Sequence, residues 1–350
     1  MQQIPVVKDE RFTKHLEHVP HLENPGRIRA IHSVLEDPSL SGKWYSIIPR
    51  LASAEELAWV HTAEHIERVA QTAGKPLTSF DLDTQASEKS YDVARLGVGA
   101  VFSLLDEIIN QKTGRGFAFI RPPGHHAEPD KAMGFCLFNN VALGAKYLKE
   151  YYSFKRVMII DIDVHHGNGT QAAFYDTDEV LFVSTHQFPF YPGTGKLGEV
   201  GQGRGEGFSV NVPLAKGCGD LDFARIIYCL INPLAEAYRP EIILVSCGFD
   251  LYIHDRLGGM NVTPEGYALM TFFLLDIAER VCSGRIAFIM EGGYSMNGIR
   301  ECGLRVMQEL CDVPTLPRKK IEKITNVPLS KVSALKKVVE IHKAYWKILA

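Results

Sequence analysis

Three acidic and imidazole side chains could hold a divalent cation. Asp163 and His165 are two residues apart, so in extended backbone their side chains share one face. Asp250 could complete the set from another segment of the chain. Two carboxylates and one imidazole leave a coordination position open, which is typical of a catalytic metal site. Zinc is the default ion for such a set, and Fe(II) or Mn(II) also suits oxygen-rich ligation.

A histidine pair, His125 and His126, could move protons. Two imidazoles beside a metal-activated water could take its proton and protonate a leaving group. The preceding Pro122, Pro123 and Gly124 would set the direction of the pair by shaping the backbone. The alternative interpretation is a rigid surface turn without a function.

Tyr294 could supply a hydrogen-bond donor to the same site. It follows Gly292 and Gly293, whose flexibility allows the hydroxyl to approach a metal and to stabilise a developing oxyanion. The alternative is an ordinary core tyrosine.

Five short apolar runs must position these groups. Each run is almost continuously apolar, which is typical of strands that are covered on both faces in a parallel sheet. The candidate residues follow the carboxyl ends of the runs, where ligands of open α/β sheets bind. This coincidence favours a metal site over the simpler interpretation that Asp161 and Asp163 only cap a turn. The runs are residues 117–120, 157–160, 180–183, 242–245 and 286–290.

Helical patterns fill the intervals between the runs. After Asn139 and Asn140 the apolar residues recur at helical spacing, and Thr263-Pro264 is typical of an N-cap followed by proline at the first helical position. The alternation of strands and helices predicts an α/β fold.

The composition predicts one catalytic domain with a basic extension. The 350 residues are 46% hydrophobic and 23% charged, and no Ser/Gly/Pro-rich linker divides them. We expect a catalytic domain at residues 1–314 and a helical extension at residues 315–350. From Arg318 onwards the sequence contains nine lysines and arginines and two glutamates, which give this segment a formal charge of +7. Because the net charge of the chain is −3, the remaining residues carry −10. An acidic body argues against specific nucleic-acid binding and favours a cationic substrate.

The extension carries a helical apolar stripe. We expect it to pack on the body or on a second subunit of a homo-oligomer, with a nucleic-acid or membrane contact as the minority alternative. The stripe consists of Val332, Leu335, Val338, Val339, His342, Tyr345, Trp346 and Leu349.

Cysteine usage and hydropathy predict the compartment. The seven cysteines form no CxxC pair and do not suggest a disulfide framework, which fits a reducing environment. No uncharged apolar run approaches the ~20 residues of a membrane-spanning helix, and the first residues lack the apolar region of a signal peptide. We therefore expect a cytoplasmic protein without a membrane partner.

Six short segments follow one another along the chain in the order RPPGHH, GFCLFNN, DIDVHHGNGTQ, FYPGTG, SCGFD and EGGY. In this order they resemble the zinc-dependent histone deacetylases and their relatives, the acetylpolyamine amidohydrolases and acetoin-utilisation proteins, and the similarity covers roughly residues 15–310. Asn168 and the EGGY segment resemble the class II branch. The resemblance implies an arginase/deacetylase-like α/β fold with a predominantly parallel central sheet flanked by helices.

The resemblance also implies two cations. One is a catalytic zinc ion on Asp163, His165 and Asp250. The other is a structural potassium ion, for which the resemblance implies Asp161, the backbone oxygens of Asp163 and His165, and the region of Ser184 and Thr185.

The resemblance further implies the catalytic roles. His126 is the main general base and acid, His125 is its electrostatic partner, and Tyr294 polarises the acyl carbonyl. Asp161 orients His125, and Asn168 orients His126. Because a neutral amide cannot stabilise an imidazolium as a carboxylate does, the share of the proton transfer that His126 carries stays open at this point.

Further matched positions describe the substrate channel and the space beneath the metal. Phe135, preceded by Gly134, and Tyr191 match the aromatic walls of a narrow acyl-lysine channel. Leu257 matches the position at which polyamine-selective relatives carry an acidic gatekeeper, so a narrow apolar mouth is expected. Arg27 resembles the arginine of an internal cavity.

These features predict a zinc-dependent amidohydrolase that removes acetyl or longer acyl groups from lysine side chains. The first alternative is a deacetylase of acetylpolyamines or other small acyl-amines. The second is a non-catalytic binding protein of the same fold, which the retained candidate residues disfavour. A manganese ureohydrolase would need a second metal cluster, and no further Asp-rich ligand set is visible because Asp255 is isolated and His254 lacks the spacing.

Overall fold

A parallel β-sheet forms the centre of the protein in a computed structural model that describes residues 3–110, 114–326 and 333–349. In these residues eight strands form the sheet in the order β2-β1-β5-β10-β9-β6-β7-β8, and β3 and β4 form a separate antiparallel pair. The strands are β1 (Ile4–Val7), β2 (Trp44–Ile47), β3 (Thr78–Ser79), β4 (Gln85–Ala86), β5 (Arg115–Ala118), β6 (Val157–Asp161), β7 (Val180–Gln187), β8 (Ser209–Leu214), β9 (Ile242–Cys247) and β10 (Ile286–Met290).

Helices flank this sheet, which confirms the predicted α/β architecture. A π-helical turn at Ile227–Ile231 joins α7 to α8. In the part of the chain that the structure describes, no helix is both long and apolar enough to cross a membrane. The helices are α1 (Gly26–Val34), α2 (Ala54–Leu57), α3 (Ala63–Ala70), α4 (Ser90–Asn110), α5 (Asn140–Tyr152), α6 (Asn168–Ala173), α7 (Asp220–Ile226), α8 (Asn232–Tyr238), α9 (Pro264–Cys282), α10 (Met296–Leu310), α11 (Arg318–Thr325) and α12 (Lys336–His342).

The five apolar runs lie in or beside the central strands. The four strands β6, β7, β9 and β10 are buried along their whole length, as their composition predicts. β5 begins and ends two residues earlier than the run 117–120, because Phe119 and Ile120 stay buried beyond the end of the ladder. Apolarity therefore marks burial there rather than pairing.

Three strands of the sheet were not predicted. β1 and β2 have four residues each, and β8 contains Asn211 and Pro213. β2 and β8 are the edge strands, where burial on both faces is not required and composition is mixed. The sequences of β2 and β8 consequently lack the continuous apolar signal of the central strands, whereas β1 is a buried apolar strand of only four residues.

Two predicted helix starts are confirmed, by different chemistry. α5 begins at Asn140, and the side chain of Asn139 caps it by accepting a 3.0 Å hydrogen bond from the Ala142 N–H. α9 begins at Pro264, but the preceding Thr263 does not cap it with its side chain. The Thr263 hydroxyl instead donates to Asp220 Oδ2 at 2.7 Å and ties α9 to α7.

The C-terminal segment places part of its apolar stripe against the body. Leu335, Val338, His342 and Leu349 are buried, and the Trp346 indole donates to the carbonyl of Gly207 at 2.9 Å. Val332 lies outside the described residues. The division of the chain after residue 314 stays a prediction.

The cysteines form no disulfide bonds in the structure. All seven are free thiols, and six of them are buried. This agrees with the expectation from their spacing.

Candidate active site

The carboxyl ends of β6 and β9 bring together the three residues that could hold a metal ion. One ligand atom from each of Asp163, His165 and Asp250 lies within 4.8 Å of the others, and all three residues are buried. His165 Nδ1 is 3.1 Å from Asp163 Oδ1 and 3.5 Å from Asp250 Oδ2. Residues that are 85 positions apart in sequence thus face one point.

The unpaired atoms of this cluster fit a cation. Backbone N–H groups of Val164 and Gly292 donate to Asp250 Oδ1 and Asp163 Oδ2, both at 2.9 Å. Asp250 Oδ2 is buried and accepts no hydrogen bond from any described residue. Burial and the charge of Asp163 raise the pKa of Asp250 to about 7, so a positive ion at this point would relieve the crowding of the two carboxylates. Two carboxylates and an imidazole suit a divalent metal ion.

Two glycines allow the backbone to approach these carboxylates. A Cβ atom at Gly292 would lie 2.2 Å from Asp250 Oδ2, and one at Gly248 would lie 2.3 Å from Asp163 Oδ2. Glycine is therefore required at position 292 because the backbone lies so close to the Asp250 carboxylate. The sequence had suggested a different reason, the flexibility of the Gly292-Gly293 backbone. The neighbouring Gly293 adopts φ +117°, which a residue with a side chain rarely does.

The two histidines of the pair lie side by side with different partners. Their ring centroids are 4.0 Å apart. His125 Nδ1 is 3.0 Å from Asp161 Oδ2, and His126 Nδ1 is 2.7 Å from Asn168 Oδ1. Burial works to lower the pKa of His125, but the carboxylates of Asp163 and Asp161 outweigh it and raise the value to about 10. Burial and the charge of His125 hold the pKa of His126 well below its usual value, so His126 is the neutral member.

Tyr294 lines the same cavity as His126 and His165, and its backbone N–H donates a hydrogen bond to Asp255. Burial raises the pKa of its phenol well above the usual value, so the hydroxyl keeps its proton. The Arg27 guanidinium carbon lies 5.2 Å from the centre of the ring, and the ring of Phe135 meets it edge-on at 5.6 Å. The phenol is thus a donor held at the base of an aromatic enclosure.

Asp255 holds the loop that carries Tyr294. Its Oδ2 accepts hydrogen bonds from the N–H groups of Tyr294 and Ser295 at 2.6 and 2.9 Å. Its Oδ1 accepts from the N–H of Leu257 at 2.9 Å. This role was not predicted, because two of the partners of Asp255 are backbone groups 39 and 40 positions further along the chain. Asp255 joins the tyrosine loop to the loop that follows Asp250.

A cavity of about 690 Å³ leads to the candidate site. Tyr191 stands edge-on to His126 with ring centroids 5.1 Å apart. Phe190, which was not predicted, stacks on His165 at 5.3 Å with an interplanar angle of 12°. The four residues predicted for the channel all line this cavity, namely Gly134, Phe135, Tyr191 and Leu257.

Two charged side chains line this cavity besides its apolar ones. Asp83 and Arg256 line it together with Leu257, and the apolar mouth stays a prediction. Burial and the neighbouring Asp81 raise the pKa of Asp83. The carboxylate of Asp83 comes from the loop between β3 and β4, so spacing around Leu257 could not have indicated it.

A buried charge network lies behind the site. Glu23 accepts hydrogen bonds from Arg27 at 2.8 Å and from Arg121 at 2.7 Å. Although burial favours the neutral acid, Arg121 and Arg27 hold the pKa of Glu23 well below its usual range. Arg27 also donates to the carbonyls of Glu291 and Gly293. In this structure Arg27 therefore supports the backbone that precedes Tyr294.

Glu291 is a further buried acid that was not predicted as a site residue. Its Oε2 accepts the N–H groups of Gly124 and His125 at 2.6 and 3.2 Å, and its Oε1 accepts the Ser246 hydroxyl at 3.0 Å. The residue begins the EGGY segment, which was the available signal. Glu291 fixes the backbone that precedes the histidine pair.

The residues expected at a potassium site lie close together. Ser184 pairs with Asp161 across β6 and β7, and the Thr185 hydroxyl donates to the Asp161 carbonyl at 3.2 Å. Asp161 Oδ1 accepts the N–H of Asp163 at 3.0 Å. These neighbours include a buried carboxylate and two hydroxyl groups, which are oxygen donors that a hard cation accepts.

Comparisons with known proteins show which family this chain resembles. The family model of the histone deacetylase domain matches residues 21–310. "Histone deacetylase 15" of Arabidopsis thaliana is 38% identical over 98% of this chain and 62% of its own length. A "Probable deacetylase" of Archaeoglobus fulgidus is 38% identical over 84% of this chain and 82% of its own. The solved HDA15 HD domain superposes with a TM-score of 0.89 at 37% identity, over 99% of this chain and 96% of that one.

The chain is shorter than several of these relatives. It spans 62% of the Arabidopsis protein and 50% of "Histone deacetylase HDA1" of Saccharomyces cerevisiae, which is 35% identical. The similarity to the solved domain confirms the deacetylase-like fold.

Proposed function

Because the chain belongs to the histone deacetylase family and is a hydrolase of that family, we propose that it removes acetyl or longer acyl groups from lysine side chains. The observation that carries the proposal is that one aromatic cavity is lined by His126 of the histidine pair, by His165 of the candidate metal cluster and by the buried Tyr294.

We assign a zinc ion to Asp163, His165 and Asp250, with Fe(II) as the alternative. A divalent ion there supplies Lewis-acid polarisation of the acyl carbonyl and makes a water molecule more acidic. We also assign a structural potassium ion to the region of Asp161, Ser184 and Thr185, with the backbone oxygens of Asp163 and His165.

His126 acts as the general base and then as the general acid. Its Nδ1 donates to Asn168 Oδ1, so Nε2 carries the lone pair and takes the proton of the attacking water. The new C–O bond forms as charge develops on the carbonyl oxygen, to which the Tyr294 hydroxyl donates. The C–N bond breaks as His126 returns the proton to nitrogen, and a carboxylate and a free amine leave. His125, which is paired with Asp161, supplies positive charge beside the reacting groups during these steps.

The cavity selects a long, slender substrate. The aromatic rings of Phe135, Phe190 and Tyr191 line its walls and suit the aliphatic stem of lysine. Such walls exclude water from the reacting centre.

The second candidate is an acetylpolyamine or another small acyl-amine. Leu257 offers no charge to an internal secondary amine, which favours acyl-lysine. Asp83, however, places a carboxylate at the mouth that could attract either cation.

A substrate panel tests the proposal. Purified protein is assayed with an acetyl-lysine peptide, longer acyl-lysine peptides and acetylspermidine, and kcat/KM is compared for the wild type, Leu257→Glu and Asp83→Asn. We expect the wild type to prefer a peptide and Leu257→Glu to shift towards acetylspermidine. A wild-type preference for acetylspermidine would overturn the assignment to lysine.

A further inference from the structure

The carboxylate of Glu128 meets the far side of the amide that contacts His126. Asn168 Nδ2 donates to Glu128 Oε1 at 2.7 Å, while Asn168 Oδ1 accepts from His126 Nδ1 at 2.7 Å. We propose that Glu128 is a positioning residue that sets the orientation of Asn168 and thereby keeps the proton of His126 on Nδ1. The consequence for catalysis depends on the proposed function, whereas the position of the proton does not.

The chemistry of the three groups allows one arrangement. A carboxylate only accepts hydrogen bonds, so the amide nitrogen of Asn168 must face Glu128. The amide oxygen then faces His126, and only a protonated Nδ1 can donate to it. If the amide were reversed, two oxygens would stand 2.7 Å apart at Glu128, and Nδ2 would meet a His126 Nδ1 that had lost its proton. Glu128 selects this orientation with the shorter of two hydrogen bonds, since Nδ2 also donates to the His126 carbonyl at 3.4 Å. The orientation leaves Nε2 of His126 free to accept a proton.

The backbone of Glu128 is held in place. The N–H of Glu128 donates to the carbonyl of Lys131 at 2.9 Å, and the carbonyl of Glu128 accepts from His61 Nδ1 at 3.0 Å. His61 Nε2 accepts from the Asn139 N–H at 2.9 Å, so the proton of His61 lies on Nδ1. The carboxylate therefore reaches Asn168 from a fixed turn.

The backbone of Asn168 is equally constrained. The N–H groups of Gly169 and Thr170 at the start of α6 donate to the His125 carbonyl at 3.0 and 3.3 Å. A Cβ atom at Gly169 would lie 2.2 Å from the Ala127 carbonyl oxygen, so α6 packs directly on the backbone beside the histidine pair. Because the backbones of Glu128 and Asn168 are both constrained, the main freedom left to the side-chain amide of Asn168 is rotation.

The two histidines thus differ in how they are connected to a carboxylate, because an amide lies between His126 and its carboxylate. His125 contacts the carboxylate of Asp161 directly, and His126 reaches the carboxylate of Glu128 through Asn168. Consecutive hydrogen bonds polarise one another, so the carboxylate strengthens the amide oxygen as an acceptor. This supplies to His126 part of what a direct carboxylate would supply.

The test compares Glu128→Ala, Glu128→Gln and the matched control Asp130→Ala. Asp130 is an exposed acid on the same turn. Glu128 borders an open cavity, so its truncation leaves no sealed void in the core. Each variant is measured as the metal-loaded full chain for thermal unfolding, for kcat and KM on an acetyl-lysine peptide, and for the nitrogen-15 signals of labelled histidine. The signal of His126 is identified by its loss in His126→Gln.

We expect Glu128→Ala to lower kcat by about 10- to 100-fold with little change in KM, as for loss of an outer hydrogen-bond partner. The nitrogen signals of His126 should show a smaller Nδ1–H fraction than in the wild type. Glu128→Gln should keep most of the wild-type kcat and most of the Nδ1–H fraction of His126, because its amide oxygen can still accept from Asn168. Asp130→Ala should match the wild type in both quantities.

An unchanged Nδ1–H fraction in Glu128→Ala would overturn the proposal whatever happens to kcat. If the protein hydrolyses no acyl-lysine or acyl-amine substrate, the proposed function fails, and the nitrogen signals still decide the role of Glu128.

Discussion

Two regions of the molecule are rich in charged residues. In one, the rim at the carboxyl ends of β6, β9 and β10, the charged groups are buried, and in the other, the C-terminal segment that contains α11 and α12, they are mostly exposed. In the rim, Asp161, Asp163, Asp250 and Glu291 are buried and contact imidazoles or backbone N–H groups. In the described part of the C-terminal segment the lysines are mostly exposed, and apolar residues such as Ile324, Val338 and Leu349 are buried against the body. Buried charge costs free energy unless a partner or a ligand compensates for it. The comparison therefore assigns function to the rim and attachment to the segment.

The largest effect in this comparison is expected for His126. Replacing it by alanine removes the proposed proton carrier, and kcat should fall by about 10²- to 10⁴-fold, the range for general acid–base catalysis. Steady-state kinetics on an acetyl-lysine peptide measures this. His18→Ala, which changes an exposed histidine, is the control. Equal kcat for the two variants would remove His126 from the mechanism.

Tyr294→Phe should have the next largest effect. The ring and its contacts with Arg27 and Phe135 remain, while the donor to the developing oxyanion is lost. Turnover should fall by about 10²- to 10³-fold, as for loss of one oxyanion donor, with the metal content unchanged. Tyr252→Phe removes a hydroxyl that bonds Glu301 outside the cavity and should keep wild-type turnover. An active Tyr294→Phe enzyme would contradict the role of the phenol.

Asp255→Asn should have a moderate effect. One amide group cannot accept from Tyr294, Ser295 and Leu257 together, because its nitrogen is a donor and must face one of these N–H groups. We expect kcat to fall by about 10-fold while metal content is retained, as for outer hydrogen-bond partners. Asp220→Asn changes a half-buried acid that contacts the start of α9, and it should leave kcat unchanged. Similar kcat values in both variants would show that Asp255 does not position Tyr294.

The smallest effect on catalysis is expected in the C-terminal segment. Trp346→Ala removes the hydrogen bond to Gly207 and the ring contact with Phe208, and should lower stability by about 1–3 kcal/mol. Denaturant unfolding measures this loss, and Lys347→Ala, an exposed neighbour, should not show it. The value of kcat should stay that of the wild type. A large loss of kcat in Trp346→Ala at unchanged stability would break the division between the two regions.

The sequence predicted the parts of the rim that carry a local signal. Asp163 and His165 stand two residues apart just beyond the end of β6, and the histidine pair and Tyr294 stand in short motifs after apolar runs. The central strands were predicted for the same reason, since burial on both faces leaves a continuous apolar run. These features depend on neighbours in sequence or on a strong compositional pattern.

The partners that act across the fold were not predicted. Asp255 and Glu128 work through groups about 40 positions away, and nothing in their local sequence separates them from surface acids. Phe190 gave no signal that it would stack on His165 rather than enter the core. Asp83 lines the cavity from a different loop than Leu257. Such contacts follow from the packing of distant elements, which spacing along the chain does not encode.

The central claim is that Asp163, His165 and Asp250 hold one catalytic metal ion. The most direct measurement is elemental analysis, combined with kcat on an acetyl-lysine peptide, for the wild type, Asp250→Ala and the control Asp83→Asn, each after metal loading and removal of free ions. We predict about one zinc ion per chain in the wild type and in Asp83→Asn, and loss of both metal and turnover in Asp250→Ala. Full zinc occupancy in Asp250→Ala would contradict the account.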